Sequence, residues 1–176
     1  MHKAASPVVN VLEVEEVDHT AGTHWGWFDK RLVRSVAARG GSLGVTQSRL
    51  PPGRTMCPFH HHQREDEVFF VLAGRGVLRY GDDVRELRPG DCVSCPAGTQ
   101  IAHQIANPFD EDLVYLAIGL HDPHEVCVYP DSGKVMVRSL RRIGLLQPAE
   151  YLDGEPATPK IFELAAACGG PRPSEP

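Results

Sequence analysis

The chain has 176 residues with a formal net charge of −5, and 41% of its residues are hydrophobic. This length suffices for one domain with a hydrophobic core. The charge excludes a basic stripe for nucleic acid, and the apolar runs are too short to span a bilayer. Acidic residues appear early in the N-terminal segment, and the five cysteines are irregularly spaced. Both features favour a soluble, cytoplasmic protein with reduced thiols.

The N-terminal residues 1–40 mix short strand-like pieces with the aromatic cluster HWGWF at 24–28. We interpret this part as an extension whose aromatic cluster packs on the outside of the fold or against a partner.

Short runs rich in β-branched and aromatic residues follow, separated by turns with glycine and proline. This pattern predicts many short strands, and no helical pattern of convincing length interrupts them. The fold class is therefore all-β, a sandwich or a barrel. The predicted strands are Leu43–Leu50, Glu67–Leu72, Gly76–Tyr80, Asp91–Cys95, His103–Asn107 and Leu113–Leu120.

Three adjacent histidines followed by a glutamate form the first candidate site. Alternate side chains of a strand share a face, so His60 and His62 point the same way and His61 points outward. Glu67 begins the next predicted strand, where burial without a partner would be costly. Two imidazoles and a carboxylate that meet in one pocket can bind a divalent metal.

A second segment, PAGTQIAHQIAN at 96–107, offers further donors. His103 opens a predicted strand after a proline–glycine turn, and Asn107 lies four residues later on the same face. We interpret His103 as a further ligand and Asn107 as a residue that holds the turn by hydrogen bonds.

The first of these segments resembles the first motif of the cupin superfamily, in which a glycine precedes a His-x-His pair, a glutamate and a second glycine. The corresponding residues here are Gly53, His60, His62, Glu67 and Gly74. The spacing from Gly53 to His60 is one residue longer than usual, and the extra residue falls in a turn.

The second cupin motif contains a glycine, a Pro-x-Gly turn, a histidine and an asparagine. This chain resembles it at Gly90, Pro96–Gly98, His103 and Asn107, with two extra residues before the histidine. The resemblance covers residues 43–120. The segments CPFHHH, AHQIAN, VYPDSGKV and YLDGE are also similar to single-domain bacterial cupins that are named as candidate sugar-phosphate isomerases.

The resemblance implies a double-stranded β-helix, the jelly-roll or cupin barrel, with short peripheral elements at both ends. We expect the N-terminal extension over 1–40 and the barrel core over 41–122. A C-terminal extension over 123–167 then completes or covers the barrel, and a disordered tail follows over 168–176.

The resemblance also implies one divalent transition metal held by His60, His62, Glu67 and His103. This ligand set suits Zn, Fe, Ni, Mn or Co, and the sequence does not choose among them. Such a site keeps positions open for water, substrate or dioxygen.

The face of the strand that carries Glu67 also carries apolar side chains, which are expected to line the pocket beside the metal. The complete set of predicted pocket residues is Phe69, Val71, Asn107, Tyr80 and Tyr115. The two tyrosines fit a role as hydrogen-bond donors as well as a role in the core. Cys57 fits a buried small residue better than a nucleophile or a soft ligand.

The expected function is action on a small oxygenated metabolite, as a sugar or sugar-phosphate isomerase. Glu67 is a poor base if it is a metal ligand, and no other carboxylate has a clear inward phase, so the catalytic base is unknown. The alternatives are an Fe(II)-dependent dioxygenase and a non-catalytic metal cupin that binds a small ligand. Barrel edges and an apolar N-terminal segment predict a homodimer.

Overall fold

The computed structural model describes residues 8–33 and 42–165, so the predicted tail over 168–176 lies outside the described residues. The described residues form short strands, two turns of 3₁₀ helix and one short α-helix. The strands are β1 (Val17–Asp18), β2 (Phe28–Val33), β3 (Leu43–Leu50), β4 (Arg54–Thr55), β5 (His61–His62), β6 (Glu67–Ala73), β7 (Gly76–Tyr80), β8 (Asp83–Leu87), β9 (Cys92–Cys95), β10 (His103–Asn107), β11 (Leu113–Leu120), β12 (Val126–Tyr129), β13 (Lys134–Val137) and β14 (Arg142–Leu145). The 3₁₀ turns are Val11–Glu13 and Arg138–Leu140, and the helix α1 is Lys160–Ala165.

All six predicted strands are present, and only two of their ends differ. β6 continues to Ala73, and β9 begins at Cys92 rather than at Asp91. The expected all-β class is therefore confirmed. Within the described residues, no helix is long and apolar enough to cross a membrane.

Three antiparallel sheets organise the strands. The largest has the order β1-β2-β3-β11-β6-β9, and a second has the order β4-β10-β7-β8. A third, small sheet has the order β14-β13-β12-β5. Strands that are far apart in sequence, such as β3 and β11, are hydrogen-bonded neighbours within one sheet, as in a jelly roll.

The hydrophobic core combines inward side chains of the two larger sheets. Leu50 and Tyr115 come from the six-stranded sheet, while Leu78 and Ile105 come from the four-stranded sheet that contains β10. Alternation along each strand explains this, because every second side chain faces the other sheet.

The first described strands belong to the largest sheet. β1 pairs with β2, and β2 pairs with β3 along its length. The expectation that the aromatic cluster lies outside the fold is wrong for Trp27, which is partly buried against the core. Trp25 is 43% exposed, as expected for an outer residue.

The predicted C-terminal extension over 123–167 is divided between two compact units. Strands β12 to β14 belong to a compact unit that ends at Leu146. A second unit begins at Gln147 and contains α1. The small sheet also contains β5, so β12 lies directly beside the histidine pair.

The turn between β6 and β7 requires glycine. Gly74 has a φ of +74°, and a Cβ at this position would overlap the backbone carbonyl of Asp112. Gly53 has nearly the same φ, +75°, but its surroundings are open. The two glycines therefore share the left-handed conformation and differ in the space around them.

We expect Gly53→Ala to lower the free energy of unfolding by about 1–2 kcal/mol, the cost of a left-handed residue with a Cβ. Gly74→Ala should lower the free energy of unfolding by a further ~1–3 kcal/mol, because the backbone must move to relieve the overlap. Urea denaturation of the two variants measures both values. Equal losses would show that the close approach of Asp112 has no energetic consequence.

Candidate metal centre

The four predicted ligands come from three different strands and one connection. His62 ends β5, Glu67 begins β6 and His103 begins β10. His60 precedes β5, and its backbone exchanges two hydrogen bonds with the backbone of His103, at 3.1 and 2.7 Å. This bridge places the histidine pair directly against the start of β10.

The structure brings all four side chains together around one carboxylate oxygen. The Nε2 atoms of the three histidines lie near Oε2 of Glu67. The distance is 3.8 Å for His60, 3.3 Å for His62 and 3.0 Å for His103. Strand alternation explains why His60 and His62 point the same way, as the sequence predicted.

Hydrogen bonds on the far side of two rings leave Nε2 as the nitrogen that faces the cluster. Nδ1 of His60 donates to the carbonyl of Pro58 at 2.8 Å. Nδ1 of His62 lies 3.2 Å from Oε1 of Glu125. Partners of this kind set the tautomer and the orientation of an imidazole that binds a metal.

The carboxylate and the imidazoles shift one another's ionisation. Burial alone raises the pKa of Glu67, but the imidazoles of His103, His60 and His62 hold that pKa well below its ordinary value. Burial lowers the pKa of His62, yet the neighbouring carboxylates, Glu67 first, raise it overall. For His103, burial dominates and lowers the pKa.

These residues fit a divalent transition metal. Nε2 of His62 is buried and has no hydrogen-bond partner among the described residues, although its ring points at the cluster. His60, Glu67 and His103 form a compact group of donors. Imidazole nitrogens combined with one carboxylate are the ligands that Zn, Fe, Ni, Mn and Co share.

A cavity of about 1170 Å³ opens beside the cluster. Its floor is the inner face of the largest sheet, where side chains are small: Gly44, Thr46, Ala117 and Gly119. Gly119 lies opposite Glu67, and Gly44 lies opposite Gly119, so this row extends from the cluster toward β2. The small side chains leave room for a ligand above the sheet.

The residues predicted for the pocket lie elsewhere. Phe69, Val71 and Tyr115 belong to the hydrophobic core rather than to the described lining of the cavity. Tyr80 lines a different groove, near β8 and β9. Among the described residues, these side chains pack in the core or beside another groove and do not line the cavity.

Asn107 is fully buried and holds the connection between β10 and β11. Its side-chain amide donates to the carbonyls of Leu50 and Glu111, at 2.8 and 2.7 Å. Its Oδ1 accepts from the backbone NH of Phe109 at 3.1 Å. Asn107 thus has the turn-holding role expected for it.

Two further residues of the histidine segment can now be assigned. The expectation that His61 points outward into solvent is wrong, because the residue is only 8% exposed. Cys57 lines the cavity, and burial raises the pKa of its thiol to about 12. A thiol that stays protonated at neutral pH fits a structural residue rather than a nucleophile.

Sequence reasoning missed a group of buried charges behind His62. Glu125 is fully buried and accepts from the backbone NH groups of Gln63 and Arg64, both at 2.9 Å. Glu65 is also buried and pairs with the guanidinium of Arg138. Both glutamates lie in stretches that look like polar loops, so only contacts with the small sheet reveal them.

Comparison with known proteins identifies the family. A family model described as the cupin domain matches residues 47–119. The crystal structure of a candidate sugar phosphate isomerase from Acidithiobacillus ferrooxidans is 30% identical, with a TM-score of 0.58, over 66% of this chain and 76% of that chain. The chain belongs to the cupin superfamily.

Other relatives extend this comparison. The structure of a sugar phosphate isomerase of the cupin superfamily from Silicibacter pomeroyi is 26% identical, with a TM-score of 0.66, over 86% of this cupin and 97% of that chain. The quercetin 2,3-dioxygenase of Bacillus subtilis is 26% identical over 131 residues, which are 70% of this cupin and 37% of that enzyme. This cupin spans between 19% and 55% of the length of the curated relatives that it matches.

We expect His103→Ala to remove most of the bound metal and the rise in melting temperature that metal addition produces. One imidazole donor is lost, and the remaining groups no longer enclose Glu67. Elemental analysis and thermal denaturation with and without metal measure both effects. His61→Ala is the matched control, because it removes a buried imidazole outside the cluster and should keep the metal. Full occupancy in the double variant His60→Ala/His103→Ala would contradict the assignment.

We expect Glu125→Gln to weaken metal binding on the order of 10- to 100-fold, because the ring of His62 loses the carboxylate that orients it. Competition with a chelator of known affinity measures the change. Glu86→Gln is the control, since Glu86 forms an exposed ion pair with Arg75 and does not line the cavity. Equal affinity in Glu125→Gln and the wild type would mean that this carboxylate does not support the centre.

Proposed function

We propose that this cupin is a metal-dependent isomerase that acts on a small sugar or sugar phosphate. The observation that carries the proposal is the convergence of three Nε2 atoms on Glu67 Oε2 at one end of the cavity. His60, His62, Glu67 and His103 would hold the ion. A bound divalent metal would supply Lewis acidity to a substrate carbonyl.

One arginine that lines the cavity could bind an anionic group of a substrate. Among the described lining residues, the two arginines are Arg31 and Arg138. Arg138 is occupied by Glu65, by Nδ1 of His121 and by the carbonyl of Asp122. Among the described residues, Arg31 has only a long ion pair, with Nε 4.0 Å from Oδ2 of Asp29, and its side chain is 69% exposed. Its guanidinium is therefore available to bind phosphate or carboxylate.

Arg31 and the metal cluster lie at opposite ends of the small-residue floor. Arg31 pairs with Thr46, which pairs with Ala117, in the row next to that of Glu67. Three strand spacings separate β2 from β6, about 14 Å along the sheet.

Isomerisation of a 2-hydroxycarbonyl compound moves one proton between two neighbouring carbons. The hydrogen bond and ion pairs of Glu67 involve Oε2, and Oε1 lies on the side of Gly119, in the cavity floor. The lowered pKa of Glu67 and its place among three imidazoles fit a metal ligand rather than the base of this reaction. The phenol of Tyr129 also lines the cavity and can donate a hydrogen bond to a substrate oxygen.

One observation favours a dioxygenase as the second candidate. Besides Glu67, the lining carboxylates of the described residues are the exposed Glu15 and two paired groups. Glu65 pairs with Arg138, and Asp29 pairs with Nε2 of His19 at 3.2 Å. A reaction of dioxygen with a bound substrate requires no separate side-chain base, and a relative of this cupin is named as a dioxygenase.

We expect metal-loaded protein to interconvert an aldose phosphate and its ketose without oxygen, and His60→Ala to be inactive. Anaerobic incubation with a panel of phosphorylated and free sugars, followed by NMR, measures conversion. Substrate loss that requires oxygen and consumes it would contradict the isomerase and support the dioxygenase.

We expect Arg31→Gln to lower kcat/KM for a phosphorylated substrate by about 10- to 100-fold, mainly through KM, since a charge-assisted hydrogen bond contributes about 1.5–3 kcal/mol. The unphosphorylated sugar should be affected much less. Arg85→Gln, outside the cavity, is the control. An equal loss for both substrates would exclude Arg31 as the anion-binding residue.

A further inference from the structure

The small sheet presents a row of soft donors beside the metal cluster. His62 of β5 pairs with Cys127 of β12, which pairs with Met136 of β13. Directly opposed residues of neighbouring strands lie on the same face of a sheet. All three side chains line the cavity. The face that points His62 toward Glu67 therefore also carries a thiol and a thioether.

Cys127 lies within reach of the same imidazoles that face Glu67. One nitrogen of His60, one nitrogen of His62 and Sγ of Cys127 all lie within 4.8 Å of one another. Two donors on opposite sides of one ion, at bond lengths of about 2.0 and 2.3 Å, are about 4.3 Å apart. Only one pair among three donors can lie on opposite sides, so the other donors would approach one another by up to roughly 1–2 Å to share one ion.

The orientation of His62 supports a shared position. Its Nδ1 is occupied by Glu125, which leaves Nε2 for an ion. That atom has no hydrogen-bond partner among the described residues, and the side chain is only 10% exposed. Glu67 approaches Nε2 from the large sheet, and Cys127 lies on the small sheet. The imidazole of His62 thus has Glu67 Oε2 at 3.3 Å from its Nε2 and the thiol of Cys127 within 4.8 Å of one of its nitrogens.

Cys127 is buried outside the main hydrophobic cluster. The residue is 1% exposed, yet it is absent from the cluster that fills the space between the larger sheets. Tyr129, two residues later in the same strand, also lines the cavity. A buried thiol that faces imidazoles and a phenol has the environment of a ligand rather than of a packing residue.

We infer that Cys127 is a fifth donor of the metal centre and makes it selective for thiophilic ions. This inference rests on the proposed metal centre. The thiol would release its proton to solvent as the sulfur binds the ion. Thiolate ligands favour ions such as Zn²⁺, Co²⁺ and Cd²⁺ over the harder Mn²⁺. The sulfur would also occupy one of the positions otherwise open to substrate or oxygen.

Cobalt titration of the metal-free protein tests this. Wild-type protein should show visible d–d bands together with the near-ultraviolet band of thiolate-to-cobalt charge transfer. Cys127→Ser and Cys127→Ala should bind one cobalt and keep the d–d bands but lose the charge-transfer band. Their affinity for Cd²⁺ should fall on the order of 10- to 100-fold, with little change for Mn²⁺.

Two other cysteines serve as controls. Cys57→Ser removes the second thiol that lines the cavity, and Cys92→Ser removes an exposed thiol outside it. Both should keep the charge-transfer band. A band that is absent from the wild type, persists in both Cys127 variants, or disappears in Cys57→Ser would overturn the assignment.

The two levels of the proposal fail differently. Cobalt binding that gives d–d bands without a charge-transfer band would exclude Cys127 as a ligand but leave the proposed His₃Glu centre intact. A protein that binds no cobalt at all would exclude both the metal-dependent isomerase and the role of Cys127 as a ligand.

Discussion

The site depends on one half-buried carboxylate, Glu67, enclosed by three imidazoles. An ionised carboxylate in such a place is strongly destabilising unless hydrogen bonds or opposite charge compensate it. The histidines supply that compensation, as the lowered pKa of Glu67 indicates. A cation held between these groups would compensate the carboxylate further, so metal binding and the stability of this end of the fold are expected to be coupled.

This constraint explains why the small sheet matters. Glu125 is buried behind His62, and its carboxylate is engaged by two backbone NH groups and the imidazole. Glu65 is held by Arg138, whose backbone NH donates to the carbonyl of Glu125 at 3.0 Å. The residues between β5 and β6 are thereby attached to β12 and to the turn after β13. The position of His62 is set by parts of the chain more than sixty residues away.

The residues that line the cavity beside this centre suggest which substrate and which metal it would bind. On the large sheet, the small residues of the floor lead from Glu67 to Arg31, an arginine with no close partner among the described residues. On the small sheet, Cys127 and Met136 bring sulfur to the other side of the imidazoles. In the proposed centre, the two sheets contribute different chemistry: a binding path for an anionic metabolite and a preference for softer ions.

The sequence by itself determined six of the fourteen described strands and the four converging side chains. Both follow from periodicities of two and from motifs whose members are close in the chain, and His103 is brought in by a pairing that the cupin pattern already implies. Only the tertiary structure decided which residues line the cavity. Phe69, Val71 and Tyr115 have the inward phase of Glu67, but depth between the sheets is not a local property, and they became core. Glu125, Arg138 and Cys127 reach the centre through the pairing of β12 with β5, a long-range contact that no local pattern specifies.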